Sequence, residues 1–115
     1  MTKNREFSST SAKRYSLALY ELANESGLLS QIEENSSAFL NLINSNKDFE
    51  NIIKDPTVSQ DIMINIINKI SNFSKINELF RNFLNFLISK RRFFFIEQIL
   101  KSFNELCSEK RGELK

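Results

Sequence analysis

The chain has no histidine and no tryptophan, one cysteine, one proline and two glycines among its 115 residues. Each scarcity excludes something. Without histidine, the commonest general acid–base and metal ligand is missing. Gly27 and Gly112 stand too far apart to write a glycine-rich phosphate loop. Cys107 can form no internal disulfide, which suits a reducing compartment, and no histidine is present to activate it as a nucleophile. Residues 1–10 are polar and lack the apolar centre of a secretory signal. Net charge is only +2, with acids and bases interspersed. Apart from Lys90, Arg91 and Arg92 there is no dense basic patch, so support for nucleic-acid binding is weak. The carboxylates Glu33–Glu34 and Glu105–Glu109 read as solvent-facing charges, not as acid pairs or metal ligands. No catalytic, cofactor or metal site is expected.

What is present is helical periodicity. Few helix breakers occur, and apolar residues recur at three and four. The first helix is predicted to start among the hydroxyls at 8–11, after a lead at 1–10, and to end near Glu25 before Gly27. Its stripe is Tyr15, Ala18, Leu19, Leu22 and Ala23. A second helix is predicted over 28–44, with Leu29, Ile32, Phe39, Leu40 and Ile43 inward. A short third follows over 47–54 and stops at Asp55-Pro56, because the residue before proline is pushed out of the helical region. Thr57 with Gln60, or Ser59 alone, can cap the fourth, which carries Val58, Ile62, Met63, Ile66, Ile67 and Ile70 up to a break at 71–74. The sixth carries Phe94, Phe95, Ile99, Phe103, Leu106 and Cys107 and fades by Gly112. The expected domain occupies 11–110, with a linker starting at 111–115. Cys107 is expected as a small core hydrophobe.

The fifth helix, within 75–100, is the most apolar. From Ile76 to Ile88, eight apolar side chains cover an arc of roughly 200°, against the ~100° stripe that a core-facing surface helix needs. One packing partner cannot cover that arc. The helix is either central to a bundle or keeps a second face for another chain. Glu78, Arg81, Asn82 and Asn85 interrupt the run, which excludes a membrane span.

At this point three strings resemble a known family. They are Arg14-Tyr15-Ser16-Leu17-Ala18-Leu19 with Leu22-Ala23, Asp55-Pro56-Thr57-Val58-Ser59, and Asn82-Phe83-Leu84 with Leu87, Arg92, Ile99, Phe103 and Leu106. In order and at these intervals they resemble the delta subunit of F-type ATP synthase, the oligomycin-sensitivity-conferring protein of mitochondria. The resemblance implies an all-α, six-helix bundle that carries no catalysis. It implies a stator role, in which the bundle grips the amphipathic N-terminal helix of an alpha subunit between helices one and five. It also implies a C-terminal domain that meets the peripheral-stalk b subunit, and a place on the cytoplasmic side of a bacterial inner membrane. The family usually has glycine where this chain has Arg91, and Arg92 matches its corner arginine, which is expected to lock the turn by a buried hydrogen bond. The alternative is a generic helical adaptor, or a weak nucleic-acid module using Lys90 to Arg92.

The candidate groove residues are Tyr15, Ala18 and Leu22 on one flank of the first helix, and Asn82, Phe83 and Phe86 on one flank of the fifth. The competing reading makes the apolar ones core residues. For Leu19, Phe80 and Leu84 the core reading prevails.

Overall fold

The computed structural model describes the backbone of residues 2–112 and the side chains of residues 10–112. Six α-helices follow one another: α1 (Thr2–Glu25), α2 (Leu29–Ser45), α3 (Lys47–Lys54), α4 (Gln60–Ser74), α5 (Glu78–Ser89) and α6 (Ile96–Lys110). A 3-10 turn, Phe93–Phe95, precedes α6. No strand occurs among the described residues. This is the all-α architecture that the periodicity predicts. No described helix is long and apolar enough to cross a membrane.

Local chemistry sets most boundaries. Gly27 at φ 70 ends α1, a left-handed conformation that glycine adopts without a Cβ clash. Asn46 Oδ1 accepts from the Phe49 N–H at 3.0 Å and starts α3. Of the two caps offered for α4, Ser59 serves, its Oγ accepting from the Ile62 N–H at 3.2 Å. Gln60 instead reaches across and donates Nε2 to the Ile88 carbonyl at 3.0 Å, tying α4 to the end of α5.

Three boundaries differ from the sequence prediction. The backbone is already helical at Thr2, because nothing between 2 and 10 breaks a helix. The break predicted at 71–74 is absent, because the Ser71 hydroxyl donates to the Ile67 carbonyl at 2.8 Å and the serine is absorbed within α4. The fifth helix begins at Glu78 rather than Ile76, capped by Asn77 Oδ1, which accepts from the Leu79 N–H at 2.8 Å. The side chains of the predicted lead, and most of the predicted linker at 111–115, lie outside the described residues.

The helices pack unequally. α1 and α2 both lie along α6, while α5 lies along α4 and rests on α2. α6 is the hub, with Ile96, Ile99, Leu100, Phe103 and Cys107 all buried. A second centre forms around Phe39 of α2, whose ring meets Phe49, Phe80 and Phe93 edge to face. Buried hydroxyls are partnered at the α1–α6 contact, where Ser16 Oγ lies 3.0 Å from Ser102 Oγ and also donates to the Lys13 carbonyl.

Candidate partner-binding seam

The buried stripe of α1 is Ala12, Ser16, Leu19 and Ala23, a spacing of four, three and four that faces α6. This stripe leaves the predicted flank turned away from the hub. Tyr15 is half-buried, Ala18 is exposed, and Leu22 is 49% exposed. The interval from Tyr15 to Leu22 is two helical turns, or about 10 Å of axis.

On α5 the buried arc consists of Phe80, Phe83, Leu84, Leu87 and Ile88. That arc spans roughly 140° of the wheel, so α4 and α2 hide most of the apolar perimeter. Phe83 therefore belongs to the core, at 5% exposure, and not to the open flank on which the sequence placed it. The physical reason is its position one turn before Leu87 and beside Phe80, inside the packed arc. What α5 leaves outside is Phe86, 45% exposed, with the exposed Asn82 one turn earlier.

α1 and α5 each have their main packing partner elsewhere. An edge-to-face contact bridges them, with the Tyr15 and Phe86 rings 6.3 Å apart at 65°. The Lys90 ammonium stands 5.7 Å from the Phe86 ring centroid, a cation–π distance. The result is a seam in which Tyr15 and Phe86 meet, with Ala18 and Leu22 continuing along α1 and Asn82 along α5. Ala18 carries only a methyl group, which lets another backbone approach. Among the described residues the seam holds no cluster of metal-ligating side chains. Its chemistry is that of contact.

The α5–α6 corner is built unlike its prediction. The N–H of Arg92 donates to the Leu87 carbonyl at 2.8 Å and that of Arg91 to the Ile88 carbonyl at 3.0 Å. This paired pattern closes a helix with a left-handed residue, and Arg91 is that residue at φ 60. Arginine there costs on the order of 1 kcal/mol relative to glycine. The expected buried lock by the Arg92 side chain is not formed among the described residues. Its Nη1 is 3.5 Å from the Arg91 carbonyl in an exposed position, and the backbone bonds hold the corner instead.

The sequence match decides the family. The family model of the ATP synthase delta (OSCP) subunit matches residues 12–115. The chain belongs to this family. ATP synthase subunit delta of Pelagibacter ubique (strain HTCC1062) is 58% identical over 115 residues, which is all of this chain and 62% of that protein. The subunit delta of Chelativorans sp. (strain BNC1) is 32% identical over 102 residues, covering 89% of this chain and 55% of its own length. That of Brucella suis biovar 1 (strain 1330) is 30% identical over 103 residues, covering 90% and 55%. The chain thus spans between about half and two thirds of these ATP synthase delta relatives.

Two outward features of this delta-family chain escaped prediction. α4 packs mainly on α5, and its outer edge carries Ile62 and Phe73, the latter 91% exposed. Beside the corner lies a hollow of about 250 Å³ lined by residues of the α3–α4 connection, α4, the end of α5 and the 3-10 turn. The signal for the first was legible: Ile62, Met63, Ile64, Ile66, Ile67, Ile70 and Phe73 also sweep roughly 200°. The hollow had no sequence signal beyond the aromatic run at 93–95.

Proposed function

We propose that this chain is a non-catalytic stator component of an F-type ATP synthase, holding the catalytic head against the torque of the rotor and so supporting proton-driven ATP synthesis. The bundle grips the amphipathic N-terminal helix of an alpha subunit along the seam between α1 and α5. Tyr15, Ala18, Leu22, Asn82 and Phe86 make the contact, while Phe83 stays in the core of the bundle. The remainder of the protein meets the b subunit of the peripheral stalk, on the cytoplasmic face of a bacterial inner membrane. No cofactor takes part.

The observation that carries this reading is the bridge between half-buried Tyr15 and half-exposed Phe86, flanked by exposed Leu22 and Asn82, on two helices packed mainly against others. An amphipathic helix reads such a seam through anchors at i, i+3 or i+4, and i+7. A stator joint must not slip, and a seam on prefolded helices is ordered before the partner arrives, which lowers the entropic cost of binding.

The test is calorimetric titration of the chain with a peptide of the alpha-subunit N-terminal helix. Phe86→Asp is expected to abolish measurable binding, since a central aromatic anchor contributes at least ~2 kcal/mol and a carboxylate in its place must be desolvated. Far-ultraviolet circular dichroism of the variant should be unchanged. Tight binding by a folded Phe86→Asp chain would refute the seam.

A further inference from the structure

The hollow beside the α5–α6 corner shares no lining residue with the seam. Its floor is apolar, with Met63, Ile88 and Phe93 all buried, and it measures about 250 Å³. An apolar cavity of about 150 Å³ accepts benzene, so one phenyl ring fits here with room to spare. The floor suits a ring in particular, because Phe93 offers an aromatic edge or face and Met63 a polarizable thioether.

Two charges stand at the rim, and they differ. The Asp55 carboxylate is already engaged, accepting from the Thr57 hydroxyl at 2.7 Å and the Thr57 N–H at 2.9 Å. The Arg91 guanidinium makes no hydrogen bond or ion pair among the described residues. It is carried on a strained left-handed backbone that glycine would adopt freely. Lys75 ends α4 in the same left-handed conformation, so what sets Arg91 apart is its place at the rim of an apolar hollow. Lys90 and Arg92 flank it and keep the corner positive.

We propose that this hollow receives an aromatic side chain of a partner polypeptide with an adjacent carboxylate, the ring on Met63, Ile88 and Phe93 and the carboxylate on Arg91. The half-exposed Phe94, also in the lining, extends the apolar surface beyond the footprint of a single ring. A small molecule would leave it wet, whereas a continuing peptide chain covers it. Asp55 is turned to Thr57 through Oδ1 and forms no ion pair with Arg91 among the described residues, so a carboxylate for the guanidinium is left to the partner.

The test is a nuclear magnetic resonance titration of the labelled chain with two capped tetrapeptides, one containing phenylalanine followed by aspartate and the other phenylalanine followed by lysine. The acidic peptide is expected to shift the amides of Met63, Ile88 and Phe93 and to bind at least fivefold more tightly than the basic one. Arg91→Gly removes the cation and relieves the backbone, so it is expected to raise Tm while erasing that preference. Arg91→Lys retains part of it. A raised Tm in Arg91→Gly separates loss of binding from unfolding. Equal affinity for the two peptides, an undiminished preference in Arg91→Gly, or shifts confined to α1 and Phe86 would each overturn the proposal.

Discussion

Phe39 offers the sharpest test of how the bundle is held together. Its side chain is buried in α2, and its ring meets Phe49 of α3 at 5.7 Å, Phe80 of α5 at 6.1 Å and Phe93 of the 3-10 turn at 6.4 Å, all edge to face. Each such pair is worth about 0.5–1.5 kcal/mol beyond the area it buries. The three share one ring, so their losses do not simply add. Phe39→Leu keeps an apolar body and forfeits the ring geometry, at an expected cost of about 2 kcal/mol. Phe39→Ala also leaves a cavity and is expected to cost about 3–5 kcal/mol. A chain of this size has a total stability of roughly 6–17 kcal/mol, so the alanine variant gives up a large share of it. At about 4 °C per kcal/mol, Tm falls by about 8 °C for leucine and by at least 12 °C for alanine. Urea unfolding followed by circular dichroism, with the midpoint and slope fitted together, measures both. A Phe39→Leu chain within about 0.5 kcal/mol of the parent would refute the claim that the aromatic cluster joins α2, α3 and α5.

Three further outcomes follow from single side chains. Burial pushes the Cys107 thiol up to about 11, with Glu33 adding to the shift and Arg111 opposing it; the unfolded thiol titrates near 8.5. The unfolded chain therefore loses this proton first as pH rises, and stability should fall between about pH 8.5 and 11, a slope that Cys107→Ala removes. A thiol reagent at neutral pH should label Cys107 only after denaturation. Two hydrogen bonds from Thr57 hold the Asp55 carboxyl below its ordinary value, so its contribution is present above the unfolded pKa of about 3.9 and is lost as pH falls through the depressed folded one; acid titrations of Asp55→Asn should lack that step. Phe73 is almost fully exposed, so Phe73→Ser should leave stability within about 0.5 kcal/mol of the parent by urea unfolding.

The helices were legible because periodicity and breakers agree at most ends. Gly27, Asn46, Pro56 and Ser59 each place a boundary that the structure keeps. Misreadings arose where a side chain's choice of partner decides the outcome. Ser71 can end a helix or bond back into it, and only the Ile67 carbonyl within reach settles which. Gln60 could have joined a capping box, but the carbonyls at the C-terminal end of α5 claimed it. The glycine-to-arginine change at 91 was visible as a departure from the family, yet a residue type alone does not reveal that arginine accepts the left-handed conformation.

The seam raises a deeper question, because excess apolar perimeter was the argument for it and α5 is not unique in having it. Roughly 200° of α4 is apolar as well. What separates the two helices is their surroundings. α5 has α4 on one side and α2 beneath, so its surplus shrinks to the edge that carries Phe86. That edge lies against Tyr15 of a helix committed elsewhere, which turns a strip into a two-walled seam. α4 has α5 on one side, and its surplus, Ile62 and Phe73, is left exposed among the described residues. A helix partner gains from two walls because its anchors are desolvated on both sides, while a single face buries only one side of each anchor. Perimeter therefore says that a face is left over, and the neighbouring helices determine whether that face can hold a partner against a sustained load.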